Sequence, residues 1–124
     1  MALRKSQLEH MLLIRSLVRR LKASGFRNVQ ADLKGLAGPG KLRHAFEEHA
    51  FVPDVTGVGT EYNVFEVETE DSIYDDHTAQ QWPKLAEHAE GRNGRFWVVV
   101  PKGAGEDARS RLARLRVQGG VLEI

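Results

Sequence analysis

Hydrophobic positions divide the 124-residue chain into segments of helical and of alternating period. From residue 6 to 23 apolar side chains recur at helical spacing, with Met11, Ile14, Leu17, Val18 and Leu21 on one stripe and Arg15, Arg19 and Arg20 facing away. Ser6 followed by Glu9 reads as a capping box, and Gly25 ends the helix. Residues 26–33 alternate imperfectly, with Phe26, Val29, Ala31 and Leu33 apolar, and predict a strand. Residues 34–50 join a loop signal, GLAGPG, to KLRHAFEEHA, which fits either a short helix or an irregular approach to the next strand. Residues 52–58 and 62–69 carry β-branched and aromatic side chains, and Gly57, Gly59 and Thr60 supply turn chemistry between them, so a hairpin is expected.

A helix over 76–90 follows, capped by Asp75 or Asp76, with Trp82, Leu85, Ala86 and Ala89 on its buried side. Pro83 predicts a kink or a restart within it. The run RFWVVV at 95–100 is apolar almost throughout, as expected of a strand covered on both faces; a basic helix over 108–117 and a short strand over 120–124 complete the chain. The order α-β-β-β-α-β-α-β predicts an α/β (α+β) mixed sheet, in which an antiparallel meander is followed by crossover helices that feed further strands. At this length one domain spanning residues 1–124 is expected.

The hairpin concentrates acids where apolar side chains are expected. Alternation places Val64, Glu66 and Glu68 on one face of the second hairpin strand and Phe65 and Val67 on the other. If the hairpin folds about Thr60, Asp54 faces Glu66 and Val52 faces Glu68, with cross-strand Cβ atoms about 5 Å apart. Carboxylates held that close repel one another, and a cation or protons must neutralise them. Asp54 and Glu66 are therefore candidate ligands of Mg²⁺ or Mn²⁺, with the Val67 carbonyl as a further oxygen donor. The alternative is an exposed acidic sheet face.

Charge is uneven along the chain although the net value is only +1. Residues 1–44 hold ten Lys and Arg against two acids, residues 45–90 one against twelve, and residues 91–124 seven against three. An acidic centre flanked by basic segments suits a metal-dependent enzyme acting on a polyanion, and the flanking cations otherwise read as solvated helix faces. Lys34, Lys41 and Arg43, in the glycine-rich segment, are the candidate phosphate contacts. That segment lacks the spacing of a nucleotide-binding P-loop. The absence of cysteine excludes disulfides and thiolate zinc sites. With no apolar run long enough to span a bilayer and no signal-peptide pattern at MALRKSQ, a cytoplasmic location without a membrane partner is expected.

Pro53-Asp54 at the end of the second strand, Glu66-Val67-Glu68 in the third and the following helix DDHTAQQW resemble the PD-(D/E)XK nuclease superfamily, and small Holliday-junction-resolvase-like members in particular. The αβββαβ order covers roughly residues 6–101. The resemblance implies a restriction-endonuclease-like core with an added C-terminal helix and strand. It also implies Mg²⁺- or Mn²⁺-dependent hydrolysis of phosphodiester bonds in duplex or branched DNA, in repair, recombination or defence, by a homodimer. Asp54, Glu66, Glu68, Gln81 and Lys84 would be catalytic, with Asp54, Glu66, Val67 and Glu68 holding metal. The sequence departs from the family at Glu68, where lysine is usual; Lys84 or Lys102 would then supply the missing cation. Glu9, the acid of the first helix, is either a cap or an extra metal ligand by the same resemblance. A nuclease-like domain that has lost catalysis and binds nucleic acid or a protein partner is the competing reading, and a plain α/β subunit with an acidic patch is a third.

Overall fold

The computed structural model describes residues 5–33, 38, 42–43 and 50–124. Helix α1 (Lys5–Ala23) leads into β1 (Arg27–Ala31), then β2 (Leu42–Arg43) and β3 (Ala50–Phe51), β4 (Val55–Val58), β5 (Tyr62–Val67), α2 (Asp76–Gly91), β6 (Arg95–Val100), α3 (Gly105–Leu115) and β7 (Gly120–Glu123). Five strands form one mixed sheet in the order β1-β4-β5-β6-β7, and β2 and β3 pair separately. Contacts β1–β4 and β4–β5 are antiparallel, while β5–β6 and β6–β7 are parallel, joined by α2 and α3. The meander followed by two crossovers is thus the expected α/β arrangement. Among the described residues no helix is long and apolar enough to cross a membrane.

Two apolar clusters sandwich the sheet. On one face Ile14, Leu17, Val18 and Leu21 of α1 pack against Val55, Phe65, Val67 and Val99. On the other, Trp82, Leu85 and Ala89 of α2 and Ala108 and Leu112 of α3 pack against Val64, Phe96, Val98 and Val100. Successive residues of β5 and β6 therefore point to opposite clusters, which is why β6 reads as a continuous apolar run. Trp82 is a core residue, as expected, whereas Trp97 is half-buried and its indole N–H donates to Asn63 Oδ1 at 3.0 Å.

Several local expectations are corrected. Helix α1 begins at Lys5, so Ser6 lies inside its first turn and is not the N-cap. Gly57 belongs to β4, opposite Asn63, and the turn itself is closed by the Gly59 N–H donating to the Glu61 carbonyl at 3.0 Å. Asp75 holds the N-cap position of α2 without a side-chain capping bond. Helix α2 does not restart at Pro83. The carbonyl that Pro83 leaves without its helical donor belongs to Ala79, on the exposed side where water can replace it, while Trp82 and Leu85 keep the helix on the sheet. Helix α3 starts at Gly105, three residues before the expected start.

The turn from α2 into β6 is pressed onto the sheet at Gly94. A Cβ at this position would collide with the Tyr62 carbonyl oxygen, and the Gly94 N–H already donates to the Ala89 carbonyl at 2.7 Å. Backbone rather than a flexible side chain is the obstacle, so G94A should destabilise the protein by about 1–3 kcal/mol. A urea melt of G94A that coincides with that of the wild type would refute this.

Candidate active site

The antiparallel register that places Val55 opposite Phe65 brings the preceding residue, Asp54, against Glu66. The Asp54 N–H donates to Glu66 Oε1 at 3.3 Å, and the Val67 N–H donates to Asp54 Oδ2 at 2.8 Å. Glu66 is 5% exposed. Burial, and after it the adjacent Asp54 charge, push its carboxyl well above the ordinary carboxylate range.

Glu68 is 3% exposed on the same face of β5, and its surroundings differ from those of Glu66. Ser72 Oγ donates to Oε1 at 2.8 Å and Trp82 Nε1 to Oε2 at 3.2 Å, while His77 Nε2 lies 3.2 Å from Oε1. Burial raises the Glu68 pKa, and the bonds from Ser72 and Trp82 together with His77 oppose the rise. Both oxygens already accept hydrogen bonds, so Glu68 is built into the protein more firmly than Glu66.

A second imidazole approaches from α1. His10 Nε2 lies 3.2 Å from Asp54 Oδ2. This hydrogen bond raises the His10 pKa against the lowering effect of burial, helped by the charges of Asp54 and Glu68 and by the Val67 backbone. The imidazole thus leans on Asp54 and on the Val67 backbone, two of the groups expected to hold a metal ion. His10 was not anticipated from the sequence, although it is four residues before Ile14 and seven before Leu17. A polar residue continuing a buried helical stripe was the available signal.

These groups share one cavity of about 490 Å³ beside the end of β5, which includes Asp54, Glu66, Val67, Glu68 and Gln81 with His10 and His77. Five expected site residues are therefore brought together. Lys84 and Lys102 are not among the cavity's lining residues. Glu9 lines a separate hollow with Ser6, Glu70 and Asp71. Lys34 and Lys41 lie outside the described residues, and of Arg43 only its backbone in β2 is described. A further hollow of about 670 Å³, bounded by α2, the start of β6 and residues 115–120, lies at the opposite end of the parallel strands from the carboxylates.

As the side chains stand, no three His, Asp or Glu groups among the described residues converge in metal-ligand geometry. The chemistry of the cavity is nevertheless distinctive: two carboxyls that repel unless neutralised, a third fixed by three hydrogen bonds, and an imidazole against each end of the set. Comparison of the chain with protein-family models, with curated proteins and with solved structures gives no match.

Proposed function

We propose that this protein is a metal-dependent nuclease of the PD-(D/E)XK kind, hydrolysing phosphodiester bonds in duplex or branched DNA. The observation that carries the reading is Glu66, a carboxyl buried against the Asp54 carboxyl and destabilised by it. Such a pair would lose its mutual repulsion on binding a divalent cation. Asp54, Glu66 and the Val67 carbonyl are hard oxygen donors and fit Mg²⁺ or Mn²⁺. When bound, the ion would polarise a phosphate oxygen and lower the pKa of a water. Asp54 and Glu66 would hold the ion, which would compete with His10 for Asp54, and Gln81 would offer an amide at the cavity wall to a phosphate oxygen. Glu68, with both oxygens engaged by Ser72, Trp82 and His77, is assigned to orienting its neighbours and not to the metal. On the DNA, Lys34, Lys41 and Arg43 would meet backbone phosphates, and a homodimer would give so small a domain enough surface to grip a duplex.

Mn²⁺ or Mg²⁺ should raise the melting temperature, by the equivalent of about 2.7 kcal/mol at a hundredfold excess over the dissociation constant. The double variant D54A/E66A should show no shift. An equal shift in that variant, or none in the wild type, would discard the metal site. A panel of single-stranded, duplex and branched DNA tests the chemistry.

One observation favours a second reading, a nuclease-like domain that binds DNA or a protein without cutting. The family lysine is replaced by Glu68, and Glu68 is tied to Trp82 in the core. A wild type that cleaves nothing on the panel, together with an E68K variant that does, would decide for it.

A further inference from the structure

Resting on the nuclease reading, we propose that the flank of α2 turned away from α3 is the track along which one strand of duplex DNA reaches the carboxylates, with Lys84 and Arg92 as its phosphate contacts. Bonds at both ends fix how α2 lies along β5. Beyond the end of β5, Glu68 accepts from Trp82 Nε1 at 3.2 Å and lies 3.2 Å from His77 Nε2. At the start of β5, the Tyr62 hydroxyl lies 3.1 Å from His88 Nε2, and the Arg92 guanidinium stands over the Tyr62 ring, 5.4 Å from its centroid. The helix therefore runs antiparallel to the strand. His77, Gln81, Lys84, His88 and Arg92 follow one another at steps of three or four residues and so form one stripe along its β5 side.

The stripe is continuous with the candidate site. His77 and Gln81 line the cavity that holds Asp54 and Glu66, and none of the five residues is fully buried. From His77 to His88 the helix rises about 16 Å, the axial length of about five nucleotides of one strand at ~3.4 Å each. Charge is divided across the helix. Glu87 and Glu90 line the hollow on the α3 side together with residues 115–120, whereas the stripe along β5 carries Lys84 and Arg92 and no acid. None of the ion pairs among the described residues includes Arg92. Its neighbour His88 adds no competing charge, because burial and then Arg92 itself lower the imidazole pKa below its ordinary 6.5. A guanidinium held by a ring face and without an acidic partner keeps its donors for a phosphate. Lys84, which does not line the cavity, is on this reading a contact along the path and not a catalytic group.

The test is the salt dependence of binding to a fluorescently labelled DNA duplex, in chelator and in Ca²⁺, by wild type, K84Q/R92Q and R114Q, the last a control on the exposed side of α3. Each phosphate contact contributes about −0.9 to the slope of log affinity against log salt, so the double variant should lose about 1.8 of the wild-type slope. Between 50 and 200 mM salt the wild-type affinity should then fall about 12-fold more than that of K84Q/R92Q. R114Q should follow the wild type, and K84R/R92K, which keeps both charges, should retain the slope. In Mn²⁺-dependent cleavage K84Q/R92Q should raise KM with little change in kcat, since a contact far from the reacting phosphate is made equally in the ground and transition states. Either single variant, with a loss of about 0.9 in slope, serves if the double variant lacks a native near-ultraviolet spectrum. An unchanged slope in K84Q/R92Q, or an equal loss in R114Q, overturns the proposal and spares the nuclease reading. A wild type that binds the duplex through Lys84 and Arg92 but cuts nothing in Mn²⁺ overturns the nuclease reading and leaves the track standing. A wild type that binds no duplex in either condition overturns both.

Discussion

E66Q should melt at a higher temperature than the wild type in metal-free buffer at neutral pH while losing its response to Mn²⁺ and any nuclease activity. Glu66 is raised above its ordinary value of 4.5 first by burial and then by Asp54. As pH rises past that ordinary value, the unfolded chain releases the proton and the folded protein keeps it, so folding stability falls until the raised folded value is passed. The contribution of Glu66 is therefore most favourable in acid and is lost towards neutrality. His10, whose pKa is raised by its bond to Asp54, adds a loss of the same sign as pH climbs above its ordinary 6.5 and through its folded value. Glutamine keeps the shape of the side chain, offers an amide to Asp54 and carries no charge at any pH. The gain should be about 1–2 kcal/mol, the scale on which relief of a destabilised functional site is usually seen, or roughly 4–8 °C. Melting curves of both proteins from pH 4.5 to 8, in chelator and in Mn²⁺, provide the measurement. The two metal-free curves should converge in acid and separate with rising pH. Parallel curves would show that Glu66 is neutralised by something other than a proton.

The largest loss of stability should come from Trp82. Its side chain is fully buried among Val64, Ile73, Leu85, Ala89, Phe96 and Val98. W82A would leave a cavity costing about 3–5 kcal/mol and remove the donor from Glu68 Oε2. Against a total of about 5–15 kcal/mol for an ordinary domain, little folded protein should remain at 37 °C. W82F separates the two effects, since it keeps most of the ring volume and lacks the indole N–H. An unsatisfied buried acceptor costs about 1–3 kcal/mol, and because the Trp82 bond lowers the Glu68 pKa, the deficit should be larger at pH 8 than at pH 5. Urea melts at the two pH values decide it. W82F as stable as the wild type at both would mean that the bond to Glu68 contributes nothing.

Local patterning determined the elements. The stripe from Ile14 to Leu21, the alternation around Glu66 and the apolar run at 95–100 each follow from short-range geometry, and they led to the five-stranded sheet and its three helices with shifts of a few residues at the ends. The hairpin register was legible too, because residues paired about a tight turn have a fixed sum, which set Asp54 against Glu66 before any fold was considered. Boundaries were less legible where competing local signals exist: Ser6 looks like a cap but lies inside α1, and Pro83 looks like a break but continues α2, since packing of Trp82 and Leu85 outweighs one lost backbone bond.

Tertiary structure alone decided which side chains share the cavity. His10 is 44 residues from Asp54 in the chain, and no sequence spacing links an α1 histidine to the start of β4. The partners of Glu68 come from the loop after β5 and from α2, and their arrangement depends on how α2 lies across the sheet. Acid positions along one strand are a short-range property and can be read from alternation. Whether an acid is neutralised by a proton, an imidazole or an indole N–H depends on elements that meet only when both faces of the sheet are covered.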